Sequence, residues 1–283
     1  MERDSKAYFY KIKPHPGLAH LIKFYWVLKD RSPAAPRPEW MLPDPYSEII
    51  FNRIKAPYHR LSKGEVASQI CESYVIASNG SPVQAAKIEA IDMVGIKLLP
   101  HALQAIVGCR VNELTRPVSL LALGNATLKR LADKLMQDMP EAELKMLLDE
   151  AMFNLLSSIK TPLVFQAMDL QVRQRGLLRI DALAEQVGIN ISTLEKGFKK
   201  YVGISPKAFQ KMVRFRNFYQ SQLQSTDLEE KPHFYDFGYY DQNHLIKEFK
   251  YFTGRTPSQS FLQSAELSFE ITNQHFGRDY WAF

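Results

Sequence analysis

The chain has 283 residues, of which 46% are hydrophobic and 23% charged, the balance of a folded, soluble protein large enough for two domains. It has neither an apolar run long enough for a transmembrane helix nor the apolar stretch of a signal peptide, so we predict a cytoplasmic protein with no membrane partner. Of the formal net charge of +6, +5 falls within residues 173–265, which hold 14 Lys or Arg and 9 Asp or Glu, and this favours an anionic partner such as nucleic acid.

Residues 1–124 are predicted to form a mixed, strand-rich domain. Short aromatic and β-branched runs predict strands at Leu21–Leu28, Glu48–Asn52 and Tyr74–Ala77. The segment Ser32–Pro45 contains five prolines and is predicted to be an irregular connection. A further strand, Gly95–Leu99, should lead directly into a helix that begins at Pro100.

Residues 125–172 are predicted to be a helical linker. Asn125 is a suitable N-cap for a first helix, and a second helix is predicted from about Pro140 to Ser158. Its broad apolar stripe predicts either packing on its own domain or a dimer interface. Self-packing is the slightly better interpretation.

Residues 173–265 are predicted to be entirely helical and contain an internal repeat. Residues 194–206 and 245–257 align at a constant offset of 51 residues, with six identities in thirteen positions and no gap. Each copy has an N-cap residue, Asn190 or Asp241, and a glycine where a helix would end, Gly203 or Gly254. Duplicated structure, with a helix of about 12 residues in each copy, is the simplest explanation.

The first copy predicts a helix-turn-helix unit. A helix over Ile180–Val187 precedes Gly188, which permits a turn with positive φ, and the capped helix follows. Leu194 and Phe198 should point inward, and so should Leu245 and Phe249 in the second copy. The opposite faces are then free to enter the major groove of DNA, and carry Ser192, Glu195, Lys196 and Lys199 in the first copy and Gln242, Asn243, Ile246, Lys247 and Lys250 in the second.

Individual roles follow from side-chain chemistry. Lys199 and Lys250 are predicted to contact phosphates, Gln242 or Asn243 to pair with adenine, and Ile246 to touch a thymine methyl group. Two roles remain open for Glu195. It either accepts a hydrogen bond from cytosine or forms an ion pair with Lys199 one turn later.

The stretches 183–206 and 238–257 resemble the two helix-turn-helix signatures of bacterial AraC/XylS transcription regulators. The resemblance covers about residues 173–263 and implies two recognition helices in successive major grooves of double-stranded DNA, joined by a long helix. That helix would be about Pro206–Gln224, and it places Arg214 and Arg216 as further candidates for phosphate contacts. RNA polymerase is the protein partner that such a regulator implies.

The second unit departs from the family pattern in ways that affect its geometry. The family has a small residue four positions before the turn glycine, and Ala184 fits this pattern before Gly188, but Phe234 occupies the position before Gly238. Pro232 restricts where the preceding helix can begin. We therefore expect the first helix of the second unit to be short or displaced. Phe218 stands where the family has alanine, which affects the angle between the units.

The N-terminal region resembles, less specifically, a domain of unknown ligand that precedes such DNA-binding domains. This resemblance implies sensing of a small molecule or formation of a homodimer, and it names no effector. The predicted fold class is thus α+β multidomain: a strand-rich N-terminal domain, a helical linker, an all-α DNA-binding domain, and a C-terminal tail at 266–283 that is expected to fold back onto the body.

Two functions are alternatives to a sequence-specific regulator. Some AraC-type domains are fused to cysteine-dependent DNA-repair enzymes, which need an activated thiol. Cys71 and Cys109 lie far apart without a set of metal-ligating neighbours, so both are predicted to be buried and structural, and neither a catalytic residue nor a metal or cofactor site is predicted. His244 is expected to pack or to contact phosphate. The second alternative is a non-specific architectural DNA-binding protein.

Overall fold

The structure is a computed structural model. It describes residues 8–31, 37–41, 45–54, 58–62, 65–70, 73–77, 83–87, 90–109, 111–114, 117–156, 161–224 and 233–262. No helix among these residues is long and apolar enough to cross a membrane.

The N-terminal region is built on a six-stranded antiparallel sheet in the order β1-β2-β9-β4-β7-β10. Its strands are β1 (Tyr8–Ile12), β2 (Ile22–Asp30), β4 (Ser47–Asn52), β7 (Tyr74–Ile76), β9 (Ile91–Leu98) and β10 (Val118–Ser119). The strands predicted near residues 21, 48, 74 and 95 are confirmed in β2, β4, β7 and β9. Helix α1 (Pro100–Val107) begins at the predicted proline.

A second, four-stranded sheet lies in the same region of the chain. It contains β3 (Arg37–Met41), β8 (Val83–Lys87), β5 (Tyr58–Ser62) and β6 (Glu65–Ile70) in the order β3-β8-β5-β6. This order matches the order β2-β9-β4-β7 of the first sheet. Along the chain, β3 follows β2, β8 precedes β9, β5 follows β4 and β6 precedes β7. The prediction of an irregular connection over residues 32–45 is wrong for Arg37–Met41. Proline is tolerated there because β3 is an edge strand.

Both faces of the six-stranded sheet are buried. Along β2, Tyr25 and Val27 belong to a core shared with α1, whereas Phe24 and Trp26 belong to a second cluster on the other face. This alternation follows from the two-residue period of a strand. The sheet therefore separates two hydrophobic cores.

The first core also contains the two helices of the predicted linker, α2 (Ala126–Leu135) and α3 (Glu141–Leu156). Asn125 caps α2 as predicted, since its Oδ1 accepts from the backbone nitrogens of Thr127 and Leu128 at 3.0 and 3.1 Å. The apolar stripe of α3, including Leu144, Leu148 and Met152, is buried in this core. The prediction that this stripe packs on its own domain is therefore confirmed for these residues.

The C-terminal region is helical. It comprises α4 (Leu163–Arg173), α5 (Ile180–Val187), α6 (Ile191–Tyr201), α7 (Pro206–Gln224), α8 (Gln242–Thr253) and α9 (Pro257–Leu262), with a 3-10 helix at Phe234–Phe237. Between residues 190 and 260 the described residues form no strand. Helix α4 packs against α5, α6 and α7, so the helical body begins before residue 173, within the predicted linker.

The two regions are in contact. Side chains on the second face of the sheet belong to one continuous hydrophobic cluster with α4, α6, α7 and α8. The His101 ring of α1 lies edge-on to Phe165 of α4, with 4.7 Å between ring centroids. Helix α6 also lies beside α1 and beside the 3-10 turn Val111–Glu113. The N-terminal region therefore contacts the first repeat copy directly.

Replacing Gly95 by alanine is predicted to destabilise the N-terminal region by about 1–3 kcal/mol. Gly95 lies opposite Trp26 in the β2–β9 pair, and a Cβ there would come within 1.9 Å of the indole ring. The ring cannot move freely, because its Nε1 donates to Glu48 Oε2 at 3.1 Å. Urea unfolding of the full chain measures the loss. A double-mutant cycle with Trp26→Leu checks the cause. Gly95→Ala should cost less in the Trp26→Leu background, where the indole ring is absent, than in the wild type. Strictly additive costs would contradict the contact.

Candidate nucleic-acid interface

The C-terminal helices form two similar units. The first consists of α4, α5 and α6, and the second of α7, the 3-10 helix Phe234–Phe237 and α8. The offset of 51 residues that aligns α6 with α8 also aligns α4 with the second half of α7. Val164 and Ala167 of α4 correspond to Phe215 and Phe218 of α7, and all four are buried. The equivalence of the two copies thus extends beyond the thirteen aligned residues to the helix that opens each unit.

Local interactions place both recognition helices as predicted. The Asn190 side chain accepts from the backbone nitrogen of Thr193 at 2.8 Å, and Asp241 accepts from that of His244 at 2.6 Å. Gly188 and Gly254 adopt φ values of 73° and 71° at the ends of α5 and α8. Both predicted N-caps are therefore confirmed, and so is the positive φ predicted for Gly188.

The predicted inward faces are also confirmed. Leu194, Phe198, Leu245 and Phe249 are all buried. The Phe198 ring meets Phe209 at a centroid distance of 5.3 Å, and Phe249 meets Phe215 at the same distance. Each recognition helix is held by its equivalent phenylalanine against α7. The opposite faces are consequently turned toward solvent.

Most residues predicted to face DNA are exposed. In α6 these are Ser192, Glu195, Lys196 and Lys199, and in α8 they are Gln242, Asn243, Lys247 and Lys250. Ile246 is half-buried. Three exposed lysines beside these helices were not singled out by the sequence analysis: Lys200, Lys207 and Lys211. The two faces combine amide, carboxylate and ammonium groups, which can read base edges or bind phosphates.

Arg214 and Arg216 are placed differently from the expectation. Both are buried in α7. The Arg214 side chain is 11% exposed, and its Nε and Nη2 bind the Glu248 carboxylate at 3.2 and 2.5 Å. A guanidinium held in this way has few donors left for a phosphate. The geometry therefore gives Arg214 a role inside the domain.

Glu248 is the centre of a buried polar network. Besides Arg214, it accepts a hydrogen bond from the Tyr239 hydroxyl at 2.9 Å. Arg214 also lies over the Tyr239 ring and within 3.4 Å of the His244 ring nitrogen. Burial lowers the pKa of Arg214, but the hydrogen bond and charge of Glu248 outweigh this and raise it. Burial, together with the Glu248 charge, raises the pKa of Tyr239, which stays protonated. The network ties α8 to α7 and to the turn before α8.

Glu248 was not among the residues predicted to have a role, although the sequence of the repeat contains a signal for it. Glu248 corresponds to Gly197 in the repeat, so the two copies differ most at this inward position. A Cβ on Gly197 would lie 3.0 Å from Val164 of α4, which shows close packing there. Each recognition helix thus uses the same position to dock on the helix that opens its unit. A carboxylate on the apolar side of a helix indicates a buried cationic partner.

The expected irregularity of the second unit is confirmed. The 3-10 helix Phe234–Phe237 has four residues, whereas α5 has eight. Phe218 fills the space beside it, with its ring 5.4 Å from Phe237 and 5.7 Å from Tyr239. A bulky residue in the connecting helix therefore compensates for a shorter helix beside it.

The remaining sequence predictions concern the two cysteines, His244 and the C-terminal tail. Cys109 is a free thiol and is half-buried rather than buried. Cys71 and the tail 266–283 lie outside the described residues. His244 packs edge-on against Tyr239 at 5.4 Å. Within the described residues, no cluster of His, Cys, Asp or Glu could hold a metal ion.

Comparison with protein families matches two parts of the chain. Residues 183–262 match a family described as a helix-turn-helix domain, and residues 10–118 match a domain of unknown function, DUF6597. The first match covers both recognition helices. The second covers the six-stranded sheet and the four-stranded sheet.

Comparison with solved structures finds ToxT from Vibrio cholerae. A 1.65 Å structure of ToxT has a TM-score of 0.43 and 11% identity, covering 81% of this chain and 97% of ToxT. A structure of ToxT with an unsaturated fatty acid bound has a TM-score of 0.43 and 10% identity, covering 93% of this chain and 97% of ToxT. These TM-scores and identities describe a resemblance to ToxT, and neither the ligand nor the activity of ToxT is attributed to this chain. Comparison with curated proteins finds no significant match.

Proposed function

We propose that this protein is a transcription regulator that recognises a specific double-stranded DNA sequence, since residues 183–262 match a helix-turn-helix family and resemble the AraC/XylS signatures. The observation that carries this proposal is the pair of equivalent recognition helices, α6 and α8. Both are held by the same helix, α7, and both have polar and basic exposed faces. Two such helices would enter successive major grooves on one side of the duplex.

Each exposed face is assigned a part in recognition. Gln242 and Asn243 open α8, where an amide can bond adenine through two atoms, so we expect A·T pairs beneath the second unit. Ile246 is half-buried, and its exposed part suits contact with a thymine methyl group. Ser192, Lys196 and Lys247 line the same grooves. Lys199 and Lys250 are assigned to phosphates.

The N-terminal region is proposed to modulate DNA binding, through a small-molecule effector or through a homodimer. Support comes from the contact of α6 with α1 and the Val111–Glu113 turn, because a change in the N-terminal region would reach the first recognition helix before the second. RNA polymerase is the expected protein partner of such a regulator.

Selection of DNA from a random pool by the full-length protein tests the proposed function. A regulator should return one site that spans two major grooves, with A·T pairs under the second unit. Recovery of unrelated sequences, together with equal competition by random DNA at fixed salt, would instead identify a non-specific architectural protein. Recovery of G·C pairs alone under α8 would contradict the roles of Gln242 and Asn243.

Alanine at Lys199 or Lys250 is predicted to weaken binding to the selected site and to random DNA by the same factor. Each lysine that neutralises a phosphate releases about one counterion, so each variant should lower the slope of log K against log salt by roughly one. Titrations at several salt concentrations measure this. Alanine at Lys129, an exposed lysine of α2 in the N-terminal region, is the control and should leave the slope unchanged. A loss confined to the selected site would contradict the phosphate role.

Alanine at Glu195 is predicted to cost about 1–3 kcal/mol on the preferred site and to relax preference at one base pair. Glu195 and Lys199 are both exposed, and among the described residues they form no ion pair with each other. Binding to single-base variants of the site decides between the two roles. Uniform tightening on every sequence would remove the base-reading role.

A further inference from the structure

Two exposed tyrosines flank the turn that precedes α8. Tyr240, directly before the N-cap Asp241, is 85% exposed, and Tyr235 of the 3-10 helix is 60% exposed. Together with Gly238, Tyr239 and Asp241 they line an open groove beside the start of the recognition helix. Packing in the core does not account for a tyrosine at either position, because both side chains are largely exposed.

Tyr240 has no counterpart in the first unit. There the turn runs from Gly188 through Ile189 to the N-cap Asn190, whereas the second turn needs one more residue between Gly238 and Asp241. Tyr239 takes the place of Ile189 in the core, being buried against Phe218. The additional residue, Tyr240, is thus the one that the fold leaves outside.

The electrostatics of this turn differ from those of a usual phosphate site. Residues 233–243 contain two aspartates and no lysine or arginine. Asp241 already accepts from the backbone nitrogen of His244 at the start of α8, and Asp236 accepts from that of His233. Because the Asp241 carboxylate already occupies a backbone donor at this helix start, a phosphate beside the turn would be bound mainly by other donors. Neutral donors remain, and the two phenol hydroxyls are exposed on both sides of the groove.

Resting on the proposed function, we propose that Tyr235 and Tyr240 donate hydrogen bonds to the DNA phosphates that flank the base pairs read by α8. In a helix-turn-helix complex the first helix crosses the sugar–phosphate backbone while the start of the second enters the groove. The turn between them therefore faces phosphates, and tyrosine hydroxyls are among the donors that bind them. Because a phenol is uncharged, these contacts position the second unit without releasing counterions.

Tyr240→Phe and Tyr235→Phe test the inference, since each removes one hydroxyl and keeps the ring. Affinity of the full-length protein is measured on the selected site and on a random duplex over a range of salt. Each variant should bind roughly 3- to 10-fold more weakly on both duplexes, the net worth of one hydrogen bond at an exposed site. The salt slope should not change. Tyr10→Phe, on β1 of the N-terminal region, is the control and should bind as the wild type does.

Three outcomes would overturn the inference. Unchanged affinity for both duplexes would mean that the groove faces a different partner. A changed salt slope would mean that the contact is not neutral, and a loss limited to one base pair would make the tyrosine a base reader. Lys250→Ala, measured in parallel, separates this failure from a wider one. If that variant loses affinity and the tyrosine variants do not, only the tyrosine contacts fail; if the wild type shows no preference for the selected site over random DNA, the proposed function fails too.

Discussion

Replacing Glu248 by alanine is expected to lower the free energy of unfolding by about 3–5 kcal/mol, the cost of removing one partner from a buried ion pair. The Glu248 side chain is 5% exposed and binds Arg214 through both oxygens. Its loss would leave the guanidinium and the Tyr239 hydroxyl without their main acceptor in a site closed to water. Urea unfolding measures the change.

Two further variants identify the cause of this loss. Glu248→Gln keeps an acceptor for Arg214 and Tyr239 but removes the charge, so it should be milder. The double variant Arg214→Met with Glu248→Leu replaces the pair by apolar groups of similar size, and such replacements are often neutral. It should regain most of the stability. A cost below about 1 kcal/mol for Glu248→Ala would contradict the burial of a paired charge.

The same network is expected to align the second recognition helix. In the wild type, a wrong base pair beneath α8 should cost about 1–3 kcal/mol. In Glu248→Gln, with the fold retained, that cost should fall, because α8 is less firmly held on α7. The cost of a wrong base pair beneath α6 should stay the same, since Gly197 occupies the equivalent position there and α6 docks on Val164. Equal losses under both helices would instead indicate general destabilisation.

Gly176→Ala is expected to be comparably damaging, at about 2–5 kcal/mol, from the positive φ and the overpacking together. Gly176 lies in the turn between α4 and α5 with φ of 75°, where a side chain costs about 1–2 kcal/mol. Its Cβ would also fall 2.6 Å from the backbone nitrogen of Arg214 and from the backbone oxygen of Gln210. Backbone atoms of a buried helix cannot yield to it. The turn would therefore have to separate from α7.

A matched control exists within the same domain. Gly188 has φ of 73° but open space where its Cβ would point. Gly188→Ala should thus cost only the conformational penalty, about 1–2 kcal/mol. The difference between the two variants, read from thermal or urea unfolding, isolates the contact with α7. Equal costs would show that the turn does not press on that helix.

The sequence predicted the recognition helices well because their determinants are local. N-caps at Asn190 and Asp241, glycines after each helix, and apolar residues spaced by one turn act within a few residues of the chain. The same holds for α1 after Pro100 and for α2 after Asn125. Because the unit is duplicated, each of these signals occurs twice at equivalent positions, and this supports the prediction more strongly than a single copy could.

Helix α7 lies at Pro206–Gln224 as expected, but the burial of Arg214 and Arg216 within it was not predicted, for a physical reason. Residues 212–216 are all buried, since α7 is surrounded by both units and by the turn at Gly176. Over these five residues no exposed stripe distinguishes one face of the helix from another. The basic residues Arg214 and Arg216 could therefore be assigned to the DNA-facing surface, although both are buried. The partner of Arg214 lies 34 residues away along the chain, beyond the range of any local pattern.

By itself the sequence determined the helix class of the C-terminal region, the ends of both recognition helices and the side chains they expose, because each depends on neighbours one turn apart. Tertiary structure alone decided which charges are buried, that α2 and α3 complete the N-terminal core, and that the N-terminal region lies against α6. Those outcomes depend on contacts between segments distant along the chain. The free energy of burying or pairing a side chain is set by what surrounds it in space.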